Sequence, residues 1–128
     1  MRHLICTLAA MFMLTGVSFA ADLPSATEAA IRAALASGKP TVADFGARSC
    51  IPCKKMAPIL AELDREYKGK ANVLFTDVHE GKNLAANYRI QMIPTQIFFD
   101  AKGKEVKRHI GFMEKTDIMK ELQAAGLK

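Results

Sequence analysis

The chain has 128 residues, 50% of them hydrophobic and 24% charged, with a formal net charge of +5. That is the composition of one globular domain able to bury a core without crosslinks, and it excludes collagen-like, coiled-coil and disordered chains. The basic residues are scattered rather than clustered, so no nucleic-acid partner is expected.

Residues 1–20 have the three-part layout of a secretory signal peptide. Arg2 gives a positive start, Leu4 to Val17 is an apolar run, and Ser18 and Ala20 put small residues where a signal peptidase reads. The run is shorter than the roughly 20 apolar residues that span a bilayer. Cleavage after Ala20 is expected, leaving residues 21–128 as the domain that is exported to the periplasm or otherwise secreted. Cys6 leaves with the signal, so Cys50 and Cys53 are the mature cysteines. In an oxidising compartment such a pair usually becomes a disulfide.

Ser25 to Glu28 fits a capping box, with Ser25 as N-cap, and predicts a helix to Ser37 that Gly38 ends. Thr41 to Phe45 reads as a buried strand. After a turn through Gly46 and Ser49, a helix runs from about Cys50 to Tyr67, with Met56, Ile59, Leu60, Leu63 and Tyr67 at helical spacing. Pro52 sits in its first turn, where the missing N–H costs nothing, and Pro58 predicts a kink. Val73 to Val78 is the next strand, Asn83 to Tyr88 a short helix, and Thr95 to Asp100 a strand directly after Pro94. Ala101 to Gly103 reads as a hairpin turn, Glu105 to Ile110 as a polar edge strand, and Lys115 to Ala125 as an amphipathic helix closed by Gly126. The order predicts an α/β fold: a mixed four-stranded sheet flanked by helices, parallel in its first half, with an antiparallel hairpin at one edge.

The chemistry centres on Cys50-Ile51-Pro52-Cys53, which follows a strand and opens a helix. This spacing puts one thiol at the helix N-terminus, where free N–H groups and the dipole favour a thiolate, and the second one turn in. Cys50 is then the nucleophile and Cys53 the resolving thiol of a thiol–disulfide exchange. Arg48 adds positive charge nearby. The same spacing also fits half of a zinc site, although the only mature histidines are His79 and His109 and no second cysteine pair exists. An inert crosslink is a further reading, but so small a loop removes little chain entropy. Haem attachment is excluded, because Lys54 stands where a histidine is required.

The run from Val42 to Pro58 (VADFGARSCIPCKKMAP) resembles the thioredoxin active-site region, and Ile93-Pro94-Thr95 looks like that family's cis-proline motif. The similarity covers nearly all of residues 25 to 126. Phe98-Phe99-Asp100 with Gly103, then Gly111-Phe112-Met113, is also similar to the C-terminal thioredoxin domain of the membrane reductant transporter DsbD. The resemblance implies a periplasmic thiol–disulfide oxidoreductase that reduces protein disulfides, needs no cofactor or metal, acts as a monomer and draws electrons from a DsbD-type membrane donor. An oxidase or isomerase, or a non-catalytic thiol module or metal carrier, are the alternatives.

Position by position, the resemblance makes Pro94 cis, with Ile93, Pro94 and Thr95 forming the substrate-binding segment. It makes Asp44 the buried acid beneath the second cysteine, with a raised pKa that lets it take the proton from Cys53; a merely hydrogen-bonded strand-end acid is the alternative. Three departures stand out. Ser49 and Gly46 replace tryptophans, and the chain has no Trp at all. Phe75 occupies the place of the lysine that partners the acid. The family's N-terminal strand is not evident. Met92 and Met113 are candidates for a groove near Pro94, with core or rim packing as the plainer reading.

Overall fold

The computed structural model describes residues 21–128; the expected signal peptide and Cys6 lie outside the described residues. The elements follow the predicted order: α1 (Glu28–Leu35), β1 (Thr41–Gly46), α2 (Ile51–Glu66), β2 (Asn72–Asp77), α3 (Lys82–Asn87), β3 (Thr95–Phe99), β4 (Glu105–Ile110) and α4 (Lys115–Ala124). The sheet order is β2-β1-β3-β4. β1 runs parallel to β2, and both β1–β3 and β3–β4 are antiparallel.

β1 is buried along its whole length, as expected of a central strand covered on both faces. Alternation along it sends Val42 to one face and Ala43 and Phe45 to the other. Val42 joins Met56, Leu60, Leu63, Phe75, Phe98, Ile118 and Leu122 in a core beneath α2 and α4. Ala43 and Phe45 join Ile31, Leu84, Ile97 and Phe99 in a second core beneath α1 and α3. Tyr88 closes this second core, its ring 5.2 Å from that of Phe45 and 6.2 Å from that of Phe99.

One local expectation is corrected. Thr27, not Ser25, caps α1, accepting from the Ala30 N–H at 3.1 Å. Ser25 is drawn away by a distant partner: its Oγ accepts from the Asp77 N–H at 2.9 Å. Ser25 also forms one parallel bridge with Phe75, and the Ala26 N–H donates to the Phe75 carbonyl at 2.7 Å. That single bridge stands beside β2, where the sequence shows no strand. The methionines follow the plainer reading, packing at the core and the rim. Met113 is core, its N–H directed at Met56 Sδ at 3.4 Å, whereas Met92 is 62% exposed. The two do not line one groove.

α2 is continuous through Pro58. Proline lacks an N–H, so the Lys54 carbonyl goes without its helical donor. In the hairpin turn, Gly103 has φ of 78°, and a Cβ there would lie 2.7 Å from the Leu35 carbonyl oxygen, so the turn needs glycine on two counts.

Candidate active site

Cys50 is the N-cap of α2, in extended conformation at φ −81° and ψ 126°. It is disulfide-bonded to Cys53 with a Cα–Cα distance of 5.2 Å. The Cys53 N–H points at Cys50 Sγ at 3.4 Å, and the Lys54 N–H donates to the Cys50 carbonyl at 2.9 Å. No acidic side chain occupies the first turn of α2. The positive end of the helix therefore faces Cys50 unopposed. The two sulfurs differ in access: Cys50 is half-buried, whereas Cys53 is 4% exposed. Between them, Ile51 is 71% exposed.

Beneath Cys53 lies the end of β1. A Cβ on Gly46 would stand 3.2 Å from Cys53 Sγ and 3.2 Å from the Phe75 ring, so Cys53 and Phe75 both pack closely on this end of the strand. Asp44 is two residues back on β1 and therefore shares this face. It is fully buried, and burial pushes its carboxyl up to about 6, partly offset by a hydrogen bond from Gln96. Phe75 is its register partner on β2, as the sequence implied, and so supplies no charge. The missed residue is Gln96, its register partner on β3, whose amide donates to Asp44 Oδ1 at 2.8 Å. A polar amide among Ile97, Phe98 and Phe99 was the signal that could have found it.

The Ile93–Pro94 bond is cis. Pro94 and Thr95 are buried and Ile93 is half-buried. The Thr95 hydroxyl donates to the Met92 carbonyl at 2.6 Å, and the Gly111 N–H donates to the Pro94 carbonyl at 2.8 Å. Among the described residues, the Ile93 N–H and C=O make no hydrogen bond, which leaves that backbone free for an extended segment. The Gly111 contact brings the β4–α4 loop, with Phe112 38% exposed, beside Pro94.

Arg48 does not reach toward Cys50 through a hydrogen bond or ion pair. Its guanidinium donates to the Leu23 carbonyl at 2.6 Å and lies 4.3 Å over the Phe75 ring. With Ala47, Ala57 and Phe75 it bounds a recess of about 60 Å³ beside Cys53. His79 and His109 are apart from the disulfide: the His79 N–H donates to Asp77, and the His109 ring contacts the Phe112 carbonyl at 3.2 Å. Among the described residues, no group of three or more His, Cys, Asp or Glu side chains is placed to hold a metal ion.

A disulfide between the N-cap and third residue of a helix, with a cis-proline leading into a strand of the same mixed sheet, defines a thiol–disulfide oxidoreductase domain. The family model for thioredoxin matches residues 23–124, so the chain belongs to the thioredoxin family. It is 43% identical over 79 residues to a thioredoxin of Staphylococcus aureus, a match spanning 62% of this chain and 75% of that one. Among solved structures, chloroplastic thioredoxin z superposes with a TM-score of 0.70 at 28% identity, covering 82% of this chain and 95% of that one. A mutant thioredoxin from Halobacterium salinarum superposes with a TM-score of 0.72 at 24% identity, covering 86% and 95%, and shares the fold.

Proposed function

We propose that the chain is an exported dithiol reductase that takes electrons from a DsbD-type membrane donor and passes them to protein disulfides outside the cytoplasm. The observation that carries the chemical part is the asymmetry of the pair: Cys50 is the accessible cap of α2, and Cys53 lies buried against Gly46. Export is supported by the layout of residues 1–20, and the donor by the likeness of the Phe98–Asp100 and Gly111–Met113 segments to the DsbD domain.

In this reading the reduced Cys50 thiolate attacks a substrate disulfide, and the Cys53 N–H steadies the charge on its sulfur. One substrate thiolate leaves and a mixed disulfide remains. Asp44, ionised for the most part above about pH 6, takes the Cys53 proton. Cys53 then attacks Cys50 Sγ, restores the internal disulfide and releases the second substrate thiol. The free Ile93 backbone holds the substrate strand, and exposed Ile51, Met92 and Phe112 offer it an apolar surface in place of the missing tryptophans.

The reduction potential of the Cys50–Cys53 pair tests the direction of flow, scored by alkylation mass shift in redox buffers. A value near about −270 mV supports a reductant, and one near about −120 mV makes the protein an oxidant and rejects the reading. In the same preparation, Cys53→Ser is expected to accumulate mixed disulfides and Cys50→Ser to accumulate none; equal trapping rejects the nucleophile assignment. A mature chain beginning at Ala21 supports export, and an uncleaved cytosolic chain rejects it.

A further inference from the structure

Asp44 and Gln96 face each other across β1 and β3, both without exposed surface, joined by the 2.8 Å bond from the Gln96 amide nitrogen to Asp44 Oδ1. The remaining oxygens give the pair a direction. Asp44 Oδ2 and Gln96 Oε1 are buried with no partner among the described residues. Buried polar atoms are almost always paired, so an open carboxyl oxygen two residues from the glycine on which Cys53 packs asks for a reason.

The surroundings narrow it. β2 sets Phe75 beside Asp44, and α2 sets Cys53 against Gly46 on the same face. His109 pairs with Gln96 one strand further out. The titratable side chains that the register and α2 place on this face are Cys53, Asp77 opposite Gly46 on β2, and Lys107 and His109 on β4. Asp77 accepts from the Arg48 and His79 N–H groups, and the amide of Gln96 is what touches the Asp44 carboxyl. An oxygen already accepting from an N–H keeps that bond in either protonation state, so the proton goes to the other oxygen. From this geometry we infer that Gln96 is a positioning residue for the resolving step. Its amide anchors Asp44 Oδ1, turns Oδ2 into the proton acceptor for Cys53, and keeps the carboxylate available where burial alone would hold it protonated.

The inference rests on the reading of Asp44 as base. In the step, the Cys53 S–H bond breaks and its proton goes to Asp44 Oδ2. The Cys53 thiolate attacks Cys50 Sγ, the Cys50–Cys53 bond forms, and the Cys50–substrate bond breaks. The electron pair of that bond leaves on the substrate sulfur, which takes a proton from water. The protein dithiol loses two electrons and the substrate disulfide gains them.

The test follows two quantities in the full chain: the Asp44 carboxyl titration, by carbon-13 NMR of the oxidised protein, and the pH profile of mixed-disulfide resolution. Gln96→Met and Gln96→Leu both remove the donor and differ in shape, which guards against one that fails to fold. Each is expected to raise both midpoints by about one pH unit, because a hydrogen bond to a charged group is worth about tenfold in the ionisation equilibrium. Resolution near neutral pH should slow several-fold and recover in alkali, and Asp44→Asn should erase the difference between Gln96 variants and their parent. Unmoved midpoints in folded variants overturn the inference while leaving the base role of Asp44 standing. A carboxyl midpoint that moves while the resolution profile does not overturns both.

Discussion

On the face of the sheet beneath α1 and α3, Ile31, Phe45, Ile97 and Phe99 make an apolar core with aromatic Tyr88 as its lid. On the face beneath α2 and α4, β2, β1 and β3 place Phe75, Asp44 and Gln96 side by side. Two buried oxygens of that row have no partner among the described residues. Burying such atoms is unfavourable, and an apolar row of the same shape would be more stable. The difference separates a core that only stabilises from one that also holds a buried titratable carboxyl, two residues from the glycine on which Cys53 packs.

The comparison breaks most sharply at its apolar side. Phe45→Ala removes a fully buried ring that touches Tyr88, and should cost about 3–5 kcal/mol in urea unfolding. A loss below about 1 kcal/mol would mean that the α1–α3 face is not the stabilising one.

On the other face the sign reverses. Burial raises the folded-state carboxyl of Asp44 from 3.8 to about 6. Between those values the folded state holds more protons than the unfolded one, so stability falls as pH rises through the window, and the loss is complete above it. The gap corresponds to about 3 kcal/mol. Asp44→Asn lacks this titration, so the parent should lose about that much relative to the variant between about pH 4 and about pH 7. Parallel pH–stability curves would show that Asp44 titrates normally in the folded state.

What could be read from the sequence is what local chemistry dictates. The α2 start was legible because a cysteine N-cap, Pro52 and helical apolar spacing are neighbours in the chain. The strand ends were legible from Gly46, Pro94 and the Ala101–Gly103 turn. Asp44 was legible only through family resemblance, and Gln96 was not, because pairing Asp44 with Gln96 depends on the β1–β3 register across 52 residues. The Ser25 cap failed for the same kind of reason. A capping box is a local rule, and the Asp77 N–H, equally distant in sequence, claimed the Ser25 hydroxyl.

The smallest effect lies at the margin of the reactive face, where Arg48 stacks on Phe75 at 4.3 Å and reaches the Leu23 carbonyl. Arg48 is exposed, so water already meets much of its charge, and a cation–π contact of this kind contributes about 0.5–1 kcal/mol. Arg48→Ala should lower stability by no more than that. Arg48→Lys should recover only part of it, since an ammonium keeps the charge without the planar stacking. The structure directs the guanidinium at Phe75 and Leu23, so neither change should alter the rate of Cys50 alkylation in the reduced protein. A marked slowing in Arg48→Ala that Arg48→Lys restores would return to Arg48 the electrostatic role suggested by its place two residues before Cys50, and would extend the reactive face beyond Phe75 to the surface.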